Sequence, residues 1–394
     1  MHLHIVAFNV PYPADYGGVI DAYNRVVALS QAGAHVHLHC FLYGRPPAPQ
    51  LEQWCEEVCY YNRRMSPWLL LSRIPFIAIS RRNSSLMQRL SQDNHPILLE
   101  GVHTCECLRL LRQIESGSSH RFVAVRTHNV EADYYRLLAR AERSPFRRLY
   151  LLVESRRLRR YEKAVLPLAD HIFAVTDSDA AAIRAMGCRQ VETMLSFPPK
   201  VDSSSLDDKS ELLDSPERSR YVLYHGDLSI PDNQWAVRWI IRNLASRSSL
   251  RFVVAGRNPG TSLYRLAARH PNVTLLPSPD DKSMRSLLAN AHCMVLLTRQ
   301  PTGLKLKLLN SLLNPGHCLV NSAMVSGTPF APLCVVADNP DEMLRAVHRL
   351  MSQPLDATAV KKRHDVLSKQ LDNRSSAQRI LSVLKQGLHT RHDL

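Results

Sequence analysis

Runs of four to six apolar residues recur along the chain, most of them followed by a loop and a stretch with helical spacing. This alternation narrows the possible folds more than any other feature. Leu3–Phe8 is the first run. A Pro/Tyr/Gly loop from Pro11 to Gly18 follows, then Val19–Ala32 with Ile20, Tyr23, Val27 and Leu29 on a helical period. Gly33 stands where a helix C-cap belongs, and Val36–Phe41 reads as a second strand, which completes a βαβ unit. Pro96–Leu99, Phe122–Val125 and His171–Val175 continue the pattern. Apolar runs that do not alternate predict strands covered on both faces, hence a parallel sheet.

Prolines 198 and 199, Ser203–Ser205 and mixed charges read as a linker. A second α/β block follows, with strands expected at Tyr221–Tyr224, Phe252–Ala255, Val273–Leu276, Cys293–Leu297, Cys318–Asn321 and Cys334–Ala337. Helices are expected at Gln234–Leu244, Ser283–Ala289 and Leu306–Leu313, and again from Asp341 onward. The 394 residues are enough for two such domains. The expectation is an α/β protein of two Rossmann-like domains facing each other across a cleft. Their bounds are 1–198 and 221–375, with a linker at 199–220 and a last helix, 376–394, returning towards the first domain.

Composition excludes several classes. Apolar residues make up 45% and charged residues 22%, so the chain is not disordered. Only fourteen glycines occur, about half the usual ~7%, and none stand in G-x-G-x-x-G or G-x-x-x-x-G-K-[ST] spacing. That argues against dinucleotide-dependent dehydrogenases and P-loop NTPases. The net charge of +15 points to anionic partners, or to a basic surface kept for solubility. Nine scattered cysteines lack the paired spacing of a zinc site, which suggests reduced thiols in a cytosolic protein. Met1–Val6 lacks the basic start of a signal peptide, and Pro67–Ile79 is too broken to span a bilayer. The expected location is cytoplasmic, with peripheral association to the inner face of the membrane.

Two loops invite chemistry. Asp15-Tyr16-Gly17-Gly18 follows the first strand and opens a helix, which suits a phosphate or sugar oxygen, or is an ordinary tight βα turn. Thr302-Gly303-Leu304-Lys305-Leu306-Lys307 leads from a strand into a helix. Lysines there oppose the helix dipole unless an anion is also present, so they either hold a diphosphate or are solvated.

Taken in order, these loops, Arg126-Thr127-His128-Asn129, Tyr224-His225-Gly226-Asp227-Leu228, Val254-Ala255-Gly256-Arg257-Asn258-Pro259 and Pro315-Gly316-His317-Cys318-Leu319-Val320 span nearly the whole chain. Together they resemble a group 1, family 4 glycosyltransferase of the GT-B fold. The resemblance implies an acceptor-side first domain and a nucleotide-sugar-binding second domain. It implies that Gly17 and Gly18 line the donor phosphates and acceptor and that His128 faces the transferred sugar as the catalytic candidate. It further implies that Gly226, Gly256 and Arg257 lie near the nucleotide and that Gly303, Lys305 and Lys307 hold the diphosphate. The implied reaction is metal-independent, needs no cofactor beyond the nucleotide-sugar co-substrate and retains anomeric configuration without a protein nucleophile.

One departure stands out. The family's E-x7-E glutamates fall on Thr302 and Asn310, which would contact the sugar and ribose without the double acceptor of a carboxylate. The expected acceptor is a glycan or a polyisoprenoid-linked sugar, and the expected pathway is polysaccharide synthesis. The competing readings are a non-catalytic GT-B protein that binds a nucleotide sugar or a partner, and a sugar-nucleotide epimerase. Nucleic-acid binding is disfavoured, because no helix-turn-helix, zinc or RNP pattern occurs.

Residues 134–166 carry ten Arg or Lys and three Glu beside apolar positions, and 66–90 mixes Trp68, Leu69–Leu71, Ile74 and Phe76–Ile79 with arginines. Each segment reads as an anionic-membrane surface or as a core helix with a solvated arginine face. His2 and His4 share one strand face, as do His35, His37 and His39. A metal site is disfavoured there, because no carboxylate partner is evident.

Overall fold

The computed structural model describes residues 1–14, 17–114, 120–142, 144–199 and 220–389. Asp15, Tyr16, Arg143, nearly all of the expected linker and residues 390–394 lie outside the described residues. Contacts divide the rest into two units: 1–199 with 302–304 and 371–389, and 220–301 with 305–370.

The first unit is built on seven strands: β1 (His2–Ala7), β2 (His35–Leu42), β3 (Glu57–Asn62), β4 (Ile97–Glu100), β5 (Val123–Arg126), β6 (His171–Ala174) and β7 (Val191–Thr193). All pair in parallel, in the order β3-β2-β1-β4-β5-β6-β7. Alternate residues serve opposite faces. Leu3, Ile5, Leu98 and Ala124 pack in one core with the helices Gly17–Gln31 and Asn373–His389. Val6, Leu99, Val123 and Val125 pack in another with Leu108, Leu158 and Tyr161. Both faces are covered, so the central strands carry no polar alternation. The unforeseen strands, β3 and β7, are the two edges, where half-buried Glu57 and Glu192 interrupt the apolar signal.

The second unit repeats the plan with β8 (Val222–His225), β9 (Phe252–Gly256), β10 (Val273–Pro277), β11 (Cys293–Leu296), β12 (His317–Val320) and β13 (Val335–Val336). Its order is β10-β9-β8-β11-β12-β13, again all parallel. Each sheet reverses direction beside its first strand, the doubly wound Rossmann order. With right-handed βαβ crossovers, this reversal puts helices on both faces of a parallel sheet.

Two expectations need correction. Residues 134–166 are not one basic helix: Glu131–Ala141 and Pro145–Val165 are separate, with Pro145 starting the second. The C-terminal half of the second helix is core, with Leu158, Tyr161 and Val165 buried. Likewise Ile77, Ala78 and Ile79 are buried and are not available to a membrane.

Candidate functional site

In open parallel sheets ligands bind beyond the carboxyl ends of the strands, where the strand order reverses. In the first sheet that point lies between β1 and β4. Gly17 and Gly18 open the helix that follows β1, and a Cβ on Gly18 would sit 3.1 Å from the Phe8 ring. The same helix turns Asp21 and Arg25 inward among Val19, Ala22, Val26 and Leu29. Glu100 ends β4, and Arg126 ends β5.

These four charges meet with almost no exposure to water. Arg25 donates to Asp21 Oδ2 at 2.9 Å and to Glu100 Oε1 at 2.8 Å, with a second, shorter bond to Glu100 Oε2. Arg126 Nε lies 3.6 Å from Asp21 Oδ2, and Arg126 also donates to the carbonyl of Met194 at 2.5 Å. Asp21 Oδ1 accepts the Phe197 N–H at 2.6 Å. Burial alone would raise the carboxyls of Asp21 and Glu100, but Arg25 and the other cations hold both below the usual range. His128 lies at the mouth of this cluster, 13% exposed, with Nδ1 3.6 Å from Asp21 and Nε2 3.3 Å from Glu100. The Phe8 ring meets it edge-on at 5.3 Å.

In the second sheet the switch point lies between β8 and β11. Gly226 follows β8 directly, and a Cβ on Gly256 would come within 1.8 Å of the Gly226 carbonyl. Gly256 therefore lets the ends of β8 and β9 approach. Arg257 is exposed, 3.8 Å from Asp227. Gly303 is buried in the left-handed region at φ +69°, and Thr302 is half-buried.

The helix expected at 306–313 spans Leu306–Leu312, so Lys305 is its N-cap rather than a first-turn residue. Lys307 points inward. Its ammonium donates to Asn233 Oδ1 at 2.8 Å, Tyr224 Oη at 3.3 Å and the Leu297 carbonyl at 3.4 Å. Burial pulls its pKa down to about 8, against the raising influence of Asp232. That carboxylate is itself taken up by the Thr298 hydroxyl at 2.6 Å and the Arg299 N–H at 3.1 Å. His225 shares a 2.9 Å hydrogen bond with Ser311, and burial lowers its pKa to about 4, so it is neutral at pH 7. Asn310 is exposed.

Sequence reasoning missed Asp21, Arg25, Glu100, Asp232 and Asn233. The signal for the first two was an i, i+4 charged pair on the apolar face of a helix. The histidine reading needs correction, because carboxylates are present. His4 Nε2 lies 3.0 Å from Asp93, His37 Nδ1 3.3 Å from Glu57, and His35 Nδ1 2.6 Å from Glu56. Among the described residues, no group of three or more His, Cys, Asp or Glu has an arrangement that could hold a metal ion.

No family model matches the chain. A sucrose-phosphate synthase from Thermosynechococcus elongatus aligns over 99% of both chains with a TM-score of 0.70 and 14% identity. Anabaena HepE in complex with UDP aligns over 98% of this chain and 100% of its own, with a TM-score of 0.64 and 14% identity. The lipopolysaccharide outer core galactosyltransferase WaaB, in its apo form, covers 97% and 99% with a TM-score of 0.61 and 13% identity. An uncharacterized 44.6 kDa protein in the cps region of Klebsiella pneumoniae is 22% identical over 367 residues, 87% of this chain and 89% of its own. The chain has the GT-B fold of these glycosyltransferases, with two Rossmann-like domains.

Proposed function

We propose that the protein is a metal-independent hexosyltransferase. It would move a sugar from a nucleotide-sugar donor to a glycan or polyisoprenoid-linked acceptor during polysaccharide synthesis, with retention. The observation that carries this reading is Lys307, a half-buried ammonium at the carboxyl end of the second sheet that donates to neutral acceptors, Asn233, Tyr224 and the Leu297 carbonyl. A desolvated cation with neutral partners gains most from an incoming anion, and a diphosphate supplies one. The UDP and UDP-glucose complexes of HepE and the cps-region relative support the same class of substrate.

On this reading the first domain, 1–198, receives the acceptor, with His128, Gly17 and Gly18 at its site. The second, 221–375, binds the donor through Gly226, Gly256, Arg257, Thr302 and Asn310, while Gly303, Lys305 and Lys307 hold the diphosphate. In the reaction the bond from the anomeric carbon to the diphosphate oxygen breaks and one to the acceptor oxygen forms on the same face. The acceptor proton passes to the departing diphosphate. Lys305 and Lys307 stabilise the charge that builds on that leaving group.

Lys305→Ala with Lys307→Ala should abolish product formation, followed by mass spectrometry across a panel of nucleotide sugars and lipid acceptors. Circular dichroism separates loss of fold from loss of site, and near-normal turnover in the double variant would refute the assignment. A second reading, donor binding without transfer, is favoured by Thr302 and Asn310 standing where the family carries glutamates. Thermal stabilisation by one nucleotide sugar with no product from any acceptor would select it.

A further inference from the structure

We propose that the first domain docks on an anionic lipid bilayer through a patch formed by the 3₁₀ turn Pro67–Leu71 and the start of the Pro145–Val165 helix. Trp68 is 77% exposed, Leu71 75%, Phe146 85% and Leu149 61%. Single exposed apolar residues are ordinary, but these are large and gathered on two adjoining segments. The Arg157 guanidinium donates to the Leu70 carbonyl at 2.7 Å, and Glu154 accepts the Phe76 N–H at 2.7 Å, so the turn is strapped to the helix. Elsewhere the same segments are core: Ile77–Ile79, Leu158 and Tyr161 are buried. The exposed set is what the domain's own packing leaves uncovered.

The charge around the patch selects the partner. From Arg63 to Gln92 there are six arginines and no carboxylate, and residues 145–153 hold two arginines and no carboxylate. The next acid, Glu154, is buried and bonded to Arg157 at 2.8 Å. Arg64, Arg73, Arg147, Arg148 and Arg156 are all exposed. Large exposed apolar side chains interspersed with exposed arginines match a surface that offers both an apolar phase and anionic headgroups. Nucleic acid would satisfy the arginines but has no apolar phase for Leu71 and Phe146. Docking is thus confined to 63–73 and 145–153, and it holds whether or not the protein transfers a sugar.

The test uses the full chain with phosphatidylcholine vesicles, with and without a quarter of phosphatidylglycerol. Binding to the anionic vesicles at low salt, weakened at high salt, is expected. Acyl-chain bromination should quench tryptophan emission in the parent and not in Trp68→Phe. Trp68→Ser with Phe146→Ser should cut vesicle affinity by about tenfold or more, in line with lost apolar insertion, at an unchanged melting temperature because both side chains are exposed. Undiminished binding of that double variant, absence of quenching at Trp68, or no binding to anionic vesicles at low salt would each overturn the proposal. So would equally tight binding to duplex DNA together with an unquenched Trp68.

Discussion

Arg25 illustrates how a single residue organises the first switch point. It sits at 0% exposure between Asp21 and Glu100, and each carboxylate has a further partner in Arg126 or His128. Two buried cations and two buried anions balance, which is the condition under which buried charge is tolerated. Removing one charge upsets the balance more than removing a neutral contact would. Glu100→Gln should destabilise the protein by about 3–5 kcal/mol, the usual penalty for breaking a buried pair, read as a lower urea midpoint. A midpoint within error of the parent would mean that the cluster does not hold the fold. Gly256 acts by the opposite means, since its lack of a side chain lets the Gly226 carbonyl close in.

At the scale of the element, β1 and β2 carry their histidines as a ladder. The parallel register sets His2 beside His35 and His4 beside His37, and His4 Nδ1 and His39 Nε2 share a 2.8 Å hydrogen bond. His4 faces Asp93, Arg121, His37 and His95, while His39 faces Tyr61, Glu57, Arg89 and His37. Burial is the largest influence on both and lowers His4 to about 4 and His39 to about 3, from 6.5. A lowered histidine binds fewer protons folded than unfolded. Its contribution to stability is therefore full above pH 6.5 and is lost as the pH falls towards the folded values. Between pH 7.5 and 5 each histidine should cost about 2 kcal/mol, read as the pH-dependent difference between urea melts of the parent and of His4→Gln with His39→Gln. The difference is the readout because Glu131 and Glu162, raised by burial to about 7 and about 8, shift the parent's own profile the other way in this window. A difference that does not change with pH would contradict the ladder's burial.

At the scale of the whole molecule, the first domain is completed by the end of the chain. The helix Asn373–His389 lies against Gly17–Gln31 and places Ala377, Ile380, Leu381, Val383 and Leu384 in the core that holds Leu3, Leu29 and Leu98. Each large aliphatic side chain buried there is worth about 1.5–3 kcal/mol. Ile380→Asp with Leu384→Asp should therefore lower the stability of the first domain by on the order of 5 kcal/mol. Calorimetry should record this as a transition at much lower temperature, whereas an unchanged first-domain transition would show the helix to be dispensable. Among the described residues no helix is long and apolar enough to cross a membrane.

The local pattern of residues determined the alternation of strands and helices, the parallel sheets and the loops at strand ends, because apolar period and helix punctuation act over a few neighbours. The outer strands β3 and β7 escaped that pattern because an edge needs no continuous apolar run. What lies far apart in sequence was decided only by tertiary contact. Arg25 finds Glu100 across 75 residues, His4 finds Asp93 across 89, and Lys307 finds Asn233 across 74. The same holds for the basic segments, whose composition does not distinguish the exposed Phe146 from the buried Leu158 twelve residues later. Charge and apolarity are properties of the residue. Whether a neighbour covers or neutralises them is a property of the fold, and in this protein that distinction separates a candidate phosphate lysine and the exposed apolar side chains of the proposed docking patch from ordinary core.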